Sequence, residues 1–349
     1  MTMDERSIDN IEAGQPWEVC RFQPGDAEGV VRLFRLGYGE GYPIRTYMEP
    51  AMLIRENEAL RVISSVAKTP RGDVVGHTSL YNSAPHAGVY ESGAALIHPA
   101  YRGSFKLYPK LILHSLELSK TLPEVEAVFG EMVCSHTTSQ KMSTKSGSVF
   151  TALEPDLMPA EAYETEGKVT GRVAAVLSFK IYRQAPQQVY LPRSYAGELP
   201  FFYEGVDQDR RFAVSETGSP AGSISDITHQ VFDFARVARI AVRSVGSDFS
   251  ESLKTLEKAL REKGILVYQV WLNLADQSNG EGVDILRKDG YFLGGVLPLW
   301  FGTDGLLMQK ILKAPDWEGI RLHAERSERI LEKVKADWER SIQDQSVDC

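Results

Sequence analysis

Cysteine is scarce in this chain: Cys20, Cys134 and Cys349 are its three thiols in 349 residues. Three widely scattered cysteines build neither a disulfide framework nor a cysteine-based zinc site, and they fit a reducing cytoplasm. Long apolar runs are missing as well. No stretch approaches the ~18 residues that span a bilayer, and the opening MTMDERSIDNIEAGQPWE is acidic and polar where a secretory leader would carry an apolar core. Nor is there a basic excess, since 39 Lys and Arg against 47 Asp and Glu give a net charge of −8. That balance excludes a general nucleic-acid or anionic-membrane partner, and leaves room for a local basic patch that holds one phosphorylated small molecule. What remains is ordinary globular material, 43% hydrophobic and 25% charged, in a length that suits two domains.

The pattern along the chain predicts an α/β protein. Residues 1–17 read as a flexible tail. Asp26 is placed to cap a helix carrying Val30, Val31, Leu33, Phe34 and Leu36, which ends at Gly37 and Gly39. PAMLIRENEAL reads as a second helix, and LRVISSVA, DVVGHTSLY and VYESGAALIHP as three strands with turn residues between them. A helix over 109–120 follows, then the strand EAVFGEMVCS, the short helix TTSQKMSTKSG, and the strands SVFTALEPD and GRVAAVLSFKIY. A meander feeding a strand–helix–strand unit gives a mixed sheet with helices on both faces. The Pro- and Gln-rich QAPQQVYLPRS reads as a linker, dividing the chain into 18–185 and 186–349. Beyond it the order strand, helix, strand, short helix ending in glycine, two strands returns, which is a duplication of architecture. The C-terminal DWEGIRLHAERSERILEKVKADWERSIQD is expected to form one long helix. Its stripe of Ile320, Ala324, Leu331, Val334, Trp338 and Ile342 would pack on a sheet or on a partner subunit, the latter giving a homodimer.

Chemistry concentrates in two places. HPAYRGSFKLYPKLILHSLELSK, residues 98–120, joins a strand to a helix through Arg102, Gly103 and Ser104. Such a corner offers backbone N–H groups to a phosphate; otherwise it only turns the chain. Three groups could take a proton: Glu91, Glu131 and His136. Glu91 shares a strand face with Gly93 and Ala95. His136 lies at a strand's C-terminal end, where open α/β sheets place ligands, and imidazole titrates near neutrality. It could equally cap the helix that follows, and Glu131 could equally belong to a structural salt bridge. Cys134 reads as a small core residue.

Residues 18–183 resemble the GNAT family of acyl-CoA-dependent N-acyltransferases. The resemblance rests on VYESGAALIHPAYRGS and GEMVCSHTTSQKMSTKSG. YGEGYPIRTYMEPAMLI and the H-x-x-S-Q-[KR] signature, here His136, Ser139, Gln140 and Lys141, fit a bacterial subfamily. Residues 186–313 resemble a divergent second repeat, most visibly in DILRKDGYFLGGVLP, so the expected architecture is a tandem of GNAT-like repeats with a long terminal helix. The resemblance implies acetyl-CoA or another acyl-CoA as donor, held by Ile97, Arg102, Gly103, Ser104, Phe105, Lys106, Leu107 and Tyr108, with Ser139, Gln140 and Lys141 close by. It further implies that Tyr38, Glu40 and Tyr42, next to Tyr47, line a pocket for a small-molecule amine or a protein amino group. Two departures stand out. The family's Q/R-x-x-G-x-G/A loop has Phe105 and Leu107 at its last two required small positions, and the tyrosine that serves the leaving thiolate in many members is Ser143. The second repeat has GSDFSESLK, with two acids, where phosphates would sit. Two functions therefore stand open: an N-acyltransferase working in the first repeat, or a non-catalytic acyl-CoA- or metabolite-binding protein with a regulatory or scaffolding role.

Overall fold

The computed structural model describes residues 11–160, 171–183, 186–206, 209–215, 218 and 221–347. The chain is a mixed α/β protein that divides into two compact units, residues 1–83 with 87–128 and residues 84–86 with 129–349. No helix among the described residues is long and apolar enough to cross a membrane.

The first unit is an antiparallel meander of β1 (Glu18–Arg21), β2 (Val62–Lys68), β3 (Val74–Asn82) and β4 (Val89–Ile97), hydrogen-bonded in that order. Helices α1 (Ala27–Tyr38) and α2 (Pro50–Glu58) cover one face. There Val30, Leu33 and Phe34 of α1 and Leu53 of α2 meet Val62, Val66 and Val74 of the strands. Helix α3 (Leu107–Lys120) lies on the other face, with Leu107 and Leu111 against Ala67 and Val75. Residues 1–10 of the expected tail lie outside the described residues. Residues 11–17 are held in place: the Tyr101 hydroxyl donates to the Glu12 carbonyl at 2.8 Å, and Ile11 and Trp17 pack on the α3 cluster.

β4 is bent by a bulge. The ladder pairs His77 with Leu96 and Ser79 with Gly93, so two residues, Ala94 and Ala95, face the single Thr78. Ala94 takes φ 51°, a left-handed conformation that costs a non-glycine residue energy unless neighbours impose it.

Strand β5 (Ala127–Val133) carries the chain into the second unit. Here follow α4 (Thr138–Lys145), β6 (Val149–Pro159), β7 (Arg172–Ile181), β8 (Gln187–Leu191), α5 (Leu199–Tyr203), β9 (Arg210–Val214), β10 (Asp226–Phe232), β11 (Val237–Ser244), α6 (Phe249–Glu262), β12 (Val267–Asn273), α7 (Asn279–Lys288), β13 (Phe292–Leu297), β14 (Gly305–Ile311) and α8 (Glu325–Val347). The strands hydrogen-bond in the order β5-β7-β6-β13-β14-β12-β11-β10, while β8 and β9 form a separate parallel pair. β5–α4–β6–β7 and β12–α7–β13–β14 thus share one element order and one pairing scheme, and they meet at β6 and β13 through Ala152 and Gly295.

The composition placed the division of the chain at the linker, of which residues 184–185 lie outside the described residues. The compact units divide at 128/129 instead, because β5, β6 and β7 share a core with the second half. Met132, Phe150, Leu153 and Val176 pack in one cluster with Ile240, Val270 and Met308.

Two features of this unit depart from simple expectation. Helix α8 starts at Glu325, so residues 312–324 form a strap without regular secondary structure, whereas the sequence pattern began the helix at Asp316. The Arg321 amide donates to the Cys134 carbonyl at 2.7 Å and the His323 amide to Gln140 Oε1 at 3.0 Å, which satisfies the strap's backbone outside a helix. Ile320 and Ala324 pack from the strap, Leu331 and Trp338 from α8, and Ile342 is 47% exposed.

The sheet also curls. Glu131 on β5 and Arg239 on β11 are six strand positions apart, which in a flat sheet is about 29 Å. Their side chains nevertheless meet at 2.5 Å, so the sheet wraps around its concave face.

Candidate functional site

In the first unit, β3 presents His77, Ser79 and Tyr81 at alternate positions toward α1 and α2, and β4 presents Glu91 opposite Tyr81. The Tyr81 hydroxyl donates to Glu91 Oε1 at 2.6 Å. Above these strands the chain between α1 and α2 lays down its aromatic rings. Tyr47 stacks on Phe34 with ring centroids 4.5 Å apart, and Tyr42 stacks on Tyr38 at 4.6 Å. The Tyr47 hydroxyl is 2.6 Å from Ser79 Oγ, and the His77 ring meets Phe34 and Tyr47 edge-on. The result is a cluster of packed tyrosine rings beside one carboxylate.

Burial raises the Tyr42 phenol well above its ordinary range, with Tyr38 and the Glu91 charge adding to the effect. Burial likewise raises Tyr47, where Tyr42 and Glu91 add and the hydrogen bond with Ser79 opposes. Both phenols stay protonated and serve as donors and ring surfaces. His77 is fully buried, and burial pushes its imidazole down to about 4 against the pull of the Ala94 carbonyl. Neutral, it donates from Nδ1 to Ala94 O at 2.9 Å and accepts the Ser64 hydroxyl at Nε2 at 3.1 Å. His77 is the neighbour that fixes the bulge.

Of the residues expected to line a pocket, Tyr38 and Tyr42 are in the cluster, and the buried Tyr47 packs beneath them on Phe34. Glu40 points elsewhere: its carboxylate pairs with Arg35 at 3.3 Å and is 79% exposed. Sequence reasoning missed Tyr81, His77 and Ser79. Their signal was present as three polar-capable side chains at i, i+2 and i+4 of one strand, which places them on one face.

The strand–helix corner after β4 folds as a short 3-10 turn, Pro99–Tyr101, with His98 Nδ1 accepting the Ala100 amide. Helix α3 begins at Leu107, two residues before the expected start. The amides of Ser104 and Leu107 donate to Tyr101 O and Ser104 O, at 2.9 and 3.1 Å, so these two amides of the corner are already bonded within the loop. Phe105, where the resemblance implies a glycine, leaves the corner open, because the residue is 94% exposed. Arg102 and Lys106 are exposed beside it, whereas Lys110 sits over the Trp17 ring at 5.0 Å. Ile97 pairs with Gly76 and packs on the α3 cluster.

In the second unit, His136 accepts the Thr138 amide at Nδ1 at 3.3 Å, the geometry of a helix cap on α4. Glu131 is engaged by Arg239, whose Nε also donates to Gln269 Oε1 at 2.9 Å, and Glu154 lies 3.8 Å from the same guanidinium. Gln140 was expected beside a cofactor. Its amide is occupied by the protein: Nε2 reaches His136 O and Arg321 O at 3.1 and 2.8 Å, and Oε1 takes the His323 amide. It clips the strap to the helix. Lys141 is exposed and Ser139 half-buried. Ser143, at the tyrosine position, is 2.6 Å from Ser178 Oγ. Cys134 is 1% exposed in the apolar core, and burial pushes its thiol up to about 12, which suits packing and not nucleophilic attack.

Neither a family model nor a curated protein matches this sequence. Solved structures are similar to about half of it. One is yncA from Salmonella typhimurium, named as an acetyltransferase and solved with its cofactor acetyl-CoA. It is 12% identical over 49% of this chain and 96% of its own, with a TM-score of 0.38. An N-acetyltransferase from Staphylococcus aureus Mu50 is 11% identical over 48% of this chain and all of its own, also at 0.38. Mutant forms of the spermidine/spermine N-acetyltransferase SpeG from Vibrio cholerae are 14% identical over 48% of this chain and 95% of their own, at 0.35.

Proposed function

We propose that this chain is an acyl-CoA-dependent N-acyltransferase whose working site lies in its first repeat, with Glu91 as general base and an amine, small or protein-borne, as acceptor. The observation that carries the reading is the Glu91 carboxylate held by Tyr81 beside the tyrosine cluster. Amine acylation needs a carboxylate or imidazole to take the proton that the nitrogen loses on forming the new amide bond. Rings and a carboxylate favour a cationic amine, through the aromatic faces and the charge together. Acyl-CoA supplies the activated acyl group. Its pyrophosphate would be held at the Arg102–Tyr108 corner by the guanidinium of Arg102, the ammonium of Lys106 and the amides of Gly103, Phe105 and Lys106.

The second repeat lacks the base. The third residue of β4 is Glu91 and the third residue of β11 is Arg239, and that guanidinium is tied to Gln269 and Glu131. Its role in this reading is to shape and stabilise. The bond between Ser143 and Ser178 supports the alternative of a binding protein without turnover, since it leaves no phenol to protonate a thiolate.

The test is acyl transfer from acetyl-CoA and longer acyl-CoAs to an amine panel, with wild type and Glu91→Gln. Removal of a general base typically lowers the rate ~100- to 10,000-fold. A folded Glu91→Gln variant with full turnover refutes the assignment, and wild type that binds acyl-CoA without acylating any amine favours the binding protein.

A further inference from the structure

We infer that Tyr81 is the positioning residue of Glu91, and that Gly93 is glycine so that it can be. The inference rests on the reading of Glu91 as general base. Tyr81 and Glu91 are direct partners across β3 and β4, on the face that carries the tyrosine cluster. The phenol ring of Tyr81 leans over the position two residues along β4. A Cβ at Gly93 would lie 2.8 Å from the Tyr81 hydroxyl oxygen and 3.2 Å from Cε1, closer than side-chain carbons approach. The missing side chain is therefore the space in which the hydroxyl sits while it donates to Glu91 Oε1 at 2.6 Å.

The neighbouring residue secures this arrangement. Ala94 begins the bulge at φ 51°, and the buried His77 holds its carbonyl. A regular ladder would carry the β4 side chains past Tyr81 in a different register, so the bulge, the glycine and the phenol act as one device. The titratable groups packed toward Glu91 are Tyr81 from β3 and Tyr42 and Tyr47 from the α1–α2 connection. Tyr81 donates a direct hydrogen bond to the carboxylate. A donor to a carboxylate favours its ionised form and limits its rotation, and the fixed orientation is what a general base gains from it.

The decisive experiment follows the carboxyl carbon of Glu91 by NMR titration in the full chain, in wild type, Tyr81→Phe, Gly93→Ala and the double variant. Tyr81→Phe keeps the ring and removes the hydroxyl, so the Glu91 midpoint should rise by about one pH unit. Gly93→Ala should give a rise of the same sign by displacing the hydroxyl. The double variant should shift no further than Tyr81→Phe alone, because both changes remove one bond. In transfer assays the acidic limb of the kcat profile should move by the same amount while KM for acyl-CoA stays constant. A Glu91 midpoint unchanged by Tyr81→Phe, or shifts that add in the double variant, would overturn the inference. The two ideas fail separately: full turnover in Glu91→Gln removes the base but leaves the titration result, whereas an unmoved titration with an inactive Glu91→Gln removes only Tyr81.

Discussion

Acidification should destabilise the first unit through His77 in a way that can be measured apart from every other group. The imidazole is fully buried between Phe34 and Tyr47, and its folded value of about 4 lies below the ordinary 6.5. Between those limits the unfolded chain binds a proton that the folded chain refuses, so stability rises with pH across this window. The contribution is complete above pH ~6.5 and falls progressively toward pH ~4. At pH 4.5 the unfolded imidazole is almost wholly charged, and linkage gives a loss of about 2.5 kcal/mol relative to pH 7. The control is His77→Asn, whose amide can donate to the Ala94 carbonyl as Nδ1 does but does not titrate. Carboxylates that titrate near pH 4 act on both proteins alike and cancel in the difference. Urea unfolding of both at pH 7, 5.5 and 4.5 should therefore show the wild-type advantage shrinking by about 2.5 kcal/mol, in steps that follow a single proton. A gap that stays constant over this range would mean that His77 is charged or solvated in the folded state, and the account of the bulge would fail with it.

Two other changes test the remaining assignments. Gln140→Ala should lower stability by ~1–3 kcal/mol, since it removes the partner of the strap's His323 amide and Arg321 carbonyl. It should also speed tryptic cleavage near Arg321 while acyl-CoA affinity holds, and a drop in affinity alone would return Gln140 to the cofactor. Replacing Arg102 and Lys106 together by glutamate should weaken acyl-CoA binding, each exposed charge near a helix N-terminus being worth ~0.3–1 kcal/mol and its reversal more. Unchanged affinity in isothermal titration, with the fold intact, would move the phosphate site elsewhere.

Periodicity made most of this fold legible before any coordinates. Strand and helix order follow apolar alternation and glycine-terminated helices, which are local properties of sequence. The misreadings came from non-local bonds. Residues 316–324 carry a helical stripe, yet their amides are taken by Cys134 and Gln140, some 180 residues earlier. Glu131 and Gln140 lie in a motif that invites a chemical reading, and their partners Arg239, Arg321 and His323 are distant in sequence. Glu91 was legible as a candidate, but its surroundings were not. Whether a strand residue faces a cleft depends on bulges, and the one at Ala94 arises from a histidine on the neighbouring strand.

The curled sheet has a consequence for how the protein can be cut. A fragment ending before residue 184 would keep β5, β6 and β7 but lose β11 to β14, with which those strands share one core. It would bare the flank of β6 where Gly295 now approaches Ala152 so closely that no side chain fits. It would also leave Glu131 without Arg239. Unpaired strand flanks seek other strands, so a fragment cut at residue 184 is a candidate for aggregation rather than a smaller folded protein. The strands before and after that point complete one core, and a cut there would open it.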